Sequence, residues 1–305
     1  MHIGWSSSLS MITKASRSLS VRPFIKVLEV GPRDGLQNEQ RVLPVATRSE
    51  LVHRLDDAGL RHIEVGSLVN YKKVPQMHST LELLKDCYDV DAKVSVLVPN
   101  HKQLHQLPKH VDEIVLFVAA SDTFNQRNIN TNIEGAFKRF EDIISELKRL
   151  HFYNRISIRG SISCCWGCPY EGMIDPHTVV DIIKGYERLN VDMIDLCDTI
   201  GVASPKSVEY VLNCVYGRMP YSAPFSLHLH DTNGLAVESA LQGVKMGIHT
   251  IHSSIAGLGG CPFSPTRAGN LDTVRLVEAL HDQGYPTGID EFKLGNVSNW
   301  IRRQL

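Results

Sequence analysis

The chain has 305 residues, of which 43% are hydrophobic and 21% are charged, as in a globular protein of one α/β-barrel size with a large buried core. Its formal net charge of −1 leaves no positive excess for binding nucleic acid or an anionic membrane surface. No apolar run reaches the roughly 18 residues that span a bilayer, so we expect neither a nucleic-acid partner nor a membrane.

The first 23 residues differ in composition from the rest of the chain. They contain seven serines and three Lys or Arg residues, and the first acidic residue is Glu29. A serine-rich, basic segment without acids is typical of a mitochondrial transit peptide; a disordered tail without a targeting role is the alternative. We therefore predict a leader over residues 1–23, a folded catalytic domain over residues 24–305, and a location in the mitochondrial matrix.

Eight short runs rich in β-branched residues follow, separated by longer segments. They are Ile25–Val30, Arg61–Val65, Lys93–Val98, Glu113–Val118, Arg155–Ile162, Val191–Leu196, Phe225–Leu229 and Thr250–Ile255. Strands that alternate with helical segments indicate parallel βαβ units.

Several of the intervening segments have helical periodicity. The clearest are Thr47–Ala58, Ile133–Leu150, Pro176–Leu189 and Pro205–Met219. The last two begin with proline directly after Asp175 and Ser204, which are candidate N-caps. Eight such units without a linker predict a single-domain (β/α)8 TIM barrel, with an open doubly wound sheet as the alternative.

The chain has seven cysteines, an odd number, and most of them fall within or beside apolar runs. This usage favours a reduced intracellular protein over a disulfide framework. Cys165 and Cys168 have the spacing of a thioredoxin-type redox motif. They follow a predicted barrel strand, however, which disfavours a redox function.

Polar residues cluster where the predicted strands end, and in a barrel this is where the active site lies. The segment Gly31–Glu39 follows the first run and includes Arg33 and Asp34, although Gly-Pro-Arg-Asp-Gly alone reads as a simple turn. In the seventh run His228 and His230 are two apart, so both imidazoles point to one face and suit one metal ion.

The eighth run leads into the glycine-rich loop Gly257–Pro262, which presents Cys261 on a mobile or closely approached backbone. A phosphate-binding loop is the alternative, but its Gly-Lys-Ser/Thr ending is missing, and a reactive or acid–base thiol fits better. Other polar residues at run ends are Glu64, Asn100, Asp198 and Thr199. Asp195 and Glu29 lie within their runs, where a place in the barrel interior is the alternative to a site role.

Three of these segments resemble the 3-hydroxy-3-methylglutaryl-CoA (HMG-CoA) lyase family. They are Gly31–Glu39, His228–Thr232 and Gly257–Pro262, and the resemblance extends from about residue 25 to about residue 290. It implies a divalent-metal-dependent carbon–carbon lyase. This enzyme would cleave HMG-CoA or a close 3-hydroxyacyl-CoA to acetyl-CoA and acetoacetate by retro-Claisen chemistry, in leucine degradation and ketone-body formation. It also implies an acyl-CoA thioester as partner and a homodimer.

The resemblance also implies a metal shell. Asp34, His228, His230 and Asn270 would bind Mg²⁺ or Mn²⁺, and such a mixed nitrogen and oxygen shell suits a divalent ion that chelates substrate oxygens.

The catalytic roles that the resemblance implies fall on neighbouring residues. Arg33 would stabilise negative charge on the thioester oxygen, and Cys261 would deliver the proton that quenches the enolate. Asp34 or a neighbouring group would be the base. Glu64 and Gln37 would give polar support, and the substrate would be bound by Arg33, Gln37 and Asn100.

The chain departs from the family pattern near the last ligand. Where the family has Gly-Ala-Ser-Gly-Asn, this chain has Thr266-Arg267-Ala268-Gly269-Asn270, which keeps the spacing from Cys261 but introduces a bulky cation. Val118 also stands where the family has glycine. Two alternatives stay open: an acetyl-CoA-dependent condensing synthase of the same superfamily, which Cys261 disfavours, and a non-catalytic paralogue that kept the barrel.

Overall fold

The computed structural model describes residues 22–219, 223–259 and 269–305. In these residues eight parallel strands form a closed barrel, which confirms the predicted (β/α)8 fold over the open sheet. The strands are β1 (Lys26–Glu29), β2 (His62–Ser67), β3 (Lys93–Leu97), β4 (Glu113–Ala119), β5 (Ser157–Ser163), β6 (Met193–Asp198), β7 (Phe225–Leu229) and β8 (Thr250–Ser253). Each strand pairs with its sequence neighbours, and β1 closes the barrel by pairing with β8 and with β2.

Helices surround the barrel. They are α1 (Val45–Asp57), α2 (Thr80–Asp86), α3 (Asp122–Ile129), α4 (Ile133–Arg149), α5 (Pro176–Arg188), α6 (Pro205–Tyr216), α7 (Ala236–Lys245), α8 (Thr273–Asp282) and α9 (Glu291–Arg302). The predicted N-caps are confirmed, since the side chain of Asp175 accepts the amide of His177 at 2.9 Å and the hydroxyl of Ser204 accepts the amide of Ser207 at 3.3 Å. No described helix is long and apolar enough to cross a bilayer.

Successive side chains of each strand point alternately outward, into an apolar layer beneath the helices, and inward, into a polar barrel interior. On β5, Ile158 and Ile162 are buried outside the barrel wall, whereas Arg159 points into the barrel. A Cβ added at Gly160 would lie 2.8 Å from the ring of Tyr186, so glycine is what lets α5 approach the strand. Each aliphatic side chain buried in the outer layer stabilises the fold by about 1.5–3 kcal/mol.

The barrel interior holds ion pairs where many barrels hold branched apolar layers. Arg159 is 1% exposed and pairs with Glu64 at 2.7 Å, Glu113 at 2.8 Å and Asp195 at 2.5 Å. Asp195 therefore lies in the barrel interior, which was the alternative to a site role in the sequence analysis. Glu29 is not, because its neighbour Val30 lines the interior cavity while Glu29 accepts a hydrogen bond from Thr273 on α8.

Some boundaries differ from the predicted ones. The second strand continues two residues beyond the predicted run, so Glu64, expected at the end of that run, lies within β2; Asp198, expected after the sixth run, is the last residue of β6. The segment between β3 and β4 forms only the short 3-10 helix His101–Gln106. Of the predicted leader, residues 1–21 lie outside the described residues.

Candidate active site

A cavity of about 860 Å³ opens at the carboxyl ends of the strands. Its lining includes Arg33, Asp34, Gln37, Glu64, Asn100, His228 and His230. Most of the residues expected at the strand ends therefore line one cavity.

The segment after β1 is a single π-helical turn rather than a simple β-turn. The carbonyl of Val30 accepts the amides of Arg33 at 3.1 Å, Asp34 at 2.7 Å and Gly35 at 3.1 Å. A Cβ at Gly35 would lie 2.6 Å from the hydroxyl oxygen of Ser254, so glycine permits the turn to pack against the end of β8. The turn places the side chains of Arg33 and Asp34 in the cavity.

The end of β7 brings two histidines and Asn270 together. His228 and His230 lie on one face as predicted, with 3.3 Å between their Nε2 atoms. The chain near Asn270 pairs with this strand end, since Asp231 donates to Gly269 at 3.0 Å and the amide of Leu271 donates to the carbonyl of Leu229 at 3.0 Å. This pairing places Asn270 opposite His230.

The donor atoms converge as a divalent ion would require. One ligand atom from each of Asp34, His228 and His230 lies within 4.8 Å of the others. The amide nitrogen of Asn270 donates to Asp34 at 2.9 Å and to the carbonyls of Leu258 and Gly259, while its buried Oδ1 has no hydrogen-bond partner among the described residues. A buried amide oxygen without a donor calls for a cation or a bound molecule. These residues fit Mg²⁺ or Mn²⁺.

The charges of these side chains also suit metal binding. Burial lowers the pKa of His228 and of His230, so both imidazoles are neutral. Burial opposes ionisation of Asp34, but the Arg33 guanidinium and a hydrogen bond from Asn270 outweigh it and hold the pKa of this carboxyl below its ordinary value. Unprotonated imidazoles and an ionised carboxylate are the forms that bind metals.

Arg33 is held between two carboxylates. Its Nη1 lies 2.6 Å from Oδ1 of Asp34, and its Nε lies 3.2 Å from Oε1 of Glu64. Gln37 approaches the same oxygen of Asp34 at 3.5 Å. The structure therefore brings Arg33, Asp34, Glu64 and Gln37 together as predicted.

Other predicted residues lie farther from this set or outside the described part of the chain. Asn100 lines the cavity, where its side chain caps the following 3-10 helix by accepting the amide of Lys102 at 3.0 Å. Asp198 accepts the amides of Val202 and Ala203, which is a structural role. Cys261 and the Thr266-Arg267 pair lie outside the described residues.

Cys165 and Cys168 do not form a redox pair with each other in the structure. Cys165 donates to the carbonyl of Ile162 at 3.0 Å, whereas Cys168 donates to the hydroxyl of Ser121 at 3.0 Å. Both thiols are buried, so neither is presented to a redox partner.

Arg159 and His252, which also line the cavity, were missed by the sequence analysis. His252 lies beside His228 in the strand register, its ring meets that of His228 edge-on at 5.5 Å, and its Nε2 lies 3.3 Å from Asp195. The sequence feature that could have identified them is a charged or imidazole side chain inside an otherwise apolar strand run.

The chain is similar to known proteins over nearly its whole length. The family model described as HMGL-like matches residues 24–301. The chain is 37% identical over 296 residues to the cytoplasmic 3-hydroxy-3-methylglutaryl-CoA lyase of Rattus norvegicus, covering 96% of this chain and 85% of that protein. It is 38% identical over 305 residues to the mitochondrial hydroxymethylglutaryl-CoA lyase of Homo sapiens, covering 99% and 92%. A solved HMG-CoA lyase from Acinetobacter baumannii, in complex with coenzyme A and 3-methylmalate, matches with a TM-score of 0.83 at 30% identity, covering 92% and 91%.

Proposed function

The chain belongs to the HMGL-like family, and on that premise we propose that it is a divalent-metal-dependent carbon–carbon lyase acting on HMG-CoA or a close 3-hydroxyacyl-CoA. The products would be acetyl-CoA and acetoacetate. The observation that carries the proposal is the convergence of Asp34, His228 and His230 beside the unpartnered Oδ1 of Asn270. A barrel without catalysis has no need of such a donor set, so it disfavours a non-catalytic paralogue.

The reaction needs a base, an electrostatic partner for the thioester oxygen, and a proton donor. A bound Mg²⁺ or Mn²⁺ supplies an electrophile that favours loss of the proton from the substrate's C3 hydroxyl. The ionised carboxylate of Asp34 accepts that proton, and the C2–C3 bond breaks. C3 becomes the ketone carbon of acetoacetate, and the electron pair of the broken bond stays with C2 and forms the thioester enolate. Cys261 returns a proton to C2, which completes acetyl-CoA.

Arg33 is placed to stabilise the enolate oxygen. Its guanidinium reaches the cavity while Asp34 and Glu64 fix its orientation, so the donor is preorganised before the reaction. Glu64 is in turn held by the buried Arg159. Glu64 is thus a support for Arg33.

We propose that the long CoA arm of the thioester lies in the part of the cavity away from the metal ligands. The cavity extends from the metal-binding set past the segments after β2 and β3, where Lys73 and Lys102 are part of its lining. These lysines offer positive charge to the phosphates of a CoA ester. Asn100 lies along the same path.

The proposal is tested by acetyl-CoA release from HMG-CoA in the presence of Mg²⁺ or Mn²⁺. We expect release by the wild type, and a fall in kcat of about 10²–10³-fold in Arg33→Ala, because a preorganised donor to the enolate oxygen is lost. Cys261→Ala should also be slow. Arg149→Ala removes an exposed cation of α4 that pairs with Glu146, and it should leave kcat unchanged.

No release by the metal-loaded wild type would overturn the assigned substrate. A wild type that also binds no Mn²⁺ in a titration would overturn the metal site.

Two further predictions concern the whole protein. We propose a location in the mitochondrial matrix, supported by the composition of residues 1–23; the relatives include mitochondrial and cytoplasmic enzymes. Residues 1–23 fused to a fluorescent protein should direct it to mitochondria, and a diffuse cytosolic signal would contradict this.

The homodimer implied by the resemblance is tested by sedimentation equilibrium.

A further inference from the structure

Glu29, the last residue of β1, is a fully buried carboxyl that lies outside the metal-binding set. Its Oε1 accepts the backbone amides of Gly31 at 2.7 Å and Ile255 at 2.8 Å. Its Oε2 accepts the hydroxyl of Thr273 at 2.7 Å. One side chain therefore connects three segments that are distant in sequence.

Each of these segments leads into the candidate active site. Gly31 begins the π-helical turn that holds Arg33 and Asp34. Ile255 begins the segment that reaches Gly259, whose carbonyl accepts a hydrogen bond from Asn270 at 3.2 Å. Thr273 begins α8, three residues after Asn270. Glu29 thus joins the supports of two metal-binding residues that lie on opposite sides of the β1–β8 junction.

The fit around Glu29 is close. A Cβ added at Gly31 would lie 2.5 Å from Oε1 of Glu29 and 2.9 Å from Cγ2 of Ile255. Any side chain at position 31 would therefore separate the carboxyl from the amides that it accepts. The two backbone amides are buried, and without Glu29 they would lack an acceptor.

We propose that Glu29 is a positioning residue that holds the Asp34 turn and the Asn270 segment at the separation that metal binding requires. The inference rests on the metal site of the proposed function. It goes beyond that function because Glu29 touches neither the donor atoms nor the cavity, and acts only through the backbone of the two segments.

Two substitutions at position 29 separate hydrogen bonding from size. Glu29→Gln keeps an oxygen that can accept both amides, and its NH₂ can donate to the hydroxyl of Thr273. Glu29→Leu has a similar volume but no acceptor. Gly31→Ala keeps the carboxyl and displaces it, which gives a second disruptive variant if Glu29→Leu does not fold.

The test is Mn²⁺ binding to the metal-free protein, followed by the electron paramagnetic resonance signal of free Mn²⁺. We expect Glu29→Gln to bind like the wild type, and Glu29→Leu and Gly31→Ala to bind about 10-fold to about 100-fold more weakly, the range seen when supports of metal ligands are removed. The matched control is Asp112→Leu, which removes a carboxylate that accepts the amide of Val94 at 2.8 Å at the opposite end of the barrel. It should bind Mn²⁺ like the wild type.

Hydrogen exchange gives a second readout that does not depend on activity. The amides of Gly31 and Ile255 should exchange faster in Glu29→Leu than in the wild type or Glu29→Gln. Equal Mn²⁺ affinity of the wild type and both disruptive variants would overturn the inference alone, as would weak binding by Glu29→Gln. A wild type that does not bind Mn²⁺ would overturn the proposed metal site and this inference with it.

Discussion

The close approach of His228 and His230 in the proposed metal site requires that the two rings are not both charged. The Nε2 atoms of His228 and His230 are 3.3 Å apart. Two positive charges at that distance repel by about 5 kcal/mol at an effective dielectric constant of 20, so both rings cannot be protonated together. Burial lowers the pKa of each ring, which leaves the two nitrogens free to bind a cation.

Glu29 leads to a prediction about pH and stability. Burial raises the pKa of its carboxyl to about 7 from 4.5, against hydrogen bonds from Thr273, Ile255 and Gly31 that lower it, and Asp272 adds a smaller increase. Since the folded pKa lies above the unfolded one, the stability contributed by Glu29 is present below about pH 4.5 and is lost as the pH rises through about 7. The loss amounts to about 3 kcal/mol.

The measurement compares wild type and Glu29→Gln in urea unfolding of the metal-free protein at pH 4.5 and pH 7.5. The variant does not titrate, so its free energy of unfolding should improve relative to the wild type by about 3 kcal/mol over this range. Every other titrating group is shared and cancels in the difference. The same difference at both pH values would show that Glu29 titrates like an exposed glutamate.

At the residue scale the sequence predicts the relative placement of side chains only when they belong to one short segment. His228 and His230 are two apart on a strand, so a shared direction follows from strand geometry alone. Asn270 could be assigned only by resemblance, because its position depends on pairing with the end of β7. His252 was missed because its place beside His228 depends on the register of β8 against β7, which a single sequence does not give.

At the scale of elements, two glycines of the segment after β8 make a matched pair. Gly257 and Gly259 both have left-handed backbones, with φ of 65° and 89°. A Cβ at Gly259 would lie 2.6 Å from the carbonyl oxygen of Asp34 and 2.7 Å from Nδ2 of Asn270. At Gly257 the nearest atom, in Asp272, would be 3.6 Å away. Only Gly259 is therefore constrained by residues of the proposed metal site.

We expect both Gly257→Ala and Gly259→Ala to lose about 1–2 kcal/mol of stability from backbone strain. Gly259→Ala should in addition bind Mn²⁺ about 10-fold to about 100-fold more weakly, because the added methyl displaces Asp34 or Asn270. Thermal unfolding and Mn²⁺ titration of the two variants measure the two effects separately. If both variants bound Mn²⁺ equally well, the close contact at Gly259 would not matter for the site.

Strands and helices with a strong hydrophobic periodicity were predicted from the sequence. The predicted bounds differ from the structure where tertiary contacts determine where an element ends. The β7 run, Phe225–Leu229, has the predicted bounds, whereas β2 begins one residue later than predicted and continues two residues farther, to Ser67. The turn Gly31–Gly35 has the sequence of an ordinary turn. Its π-helical form follows from three amides that share the carbonyl of Val30 and from its packing against Ser254, and neither contact is local enough to read from residue types.

At the scale of the whole molecule, eight alternating strand and helix signals predicted the closed barrel, because repeated βαβ units allow few other topologies. The interior was less predictable. Arg159 and its three carboxylate partners come from four different strands, so their meeting depends on closure of the barrel. This ion cluster connects the barrel core to the active site, because Glu64 contacts both Arg159 and Arg33.

Two buried arginines allow the energetic role of this cluster to be measured. Arg159 and Arg48 are each 1% exposed. Arg159 pairs with three carboxylates, whereas Arg48 donates to the carbonyl of His78 at 2.8 Å and its Nε and Nη2 have no partner among the described residues. Burial lowers the pKa of Arg48 to about 10, as expected for a buried cation that no described carboxylate neutralises.

Arg159→Met leaves Glu64, Glu113 and Asp195 buried without their shared cation, so we expect a loss of about 3–5 kcal/mol in urea unfolding at pH 7. Arg48→Met, the matched control, replaces a poorly partnered charge by an apolar chain of similar length. It should lose less than about 1.5 kcal/mol or gain stability.

Burial opposes ionisation of Glu113 and Asp195, but Arg159 outweighs it and keeps both pKa values low. The stability from these pairs is therefore present above the unfolded pKa values and is lost as the pH falls through the folded ones. The difference between Arg159→Met and the wild type should thus shrink in acid. Equal losses in the two variants at pH 7 would mean that the cluster adds nothing beyond the burial of one arginine.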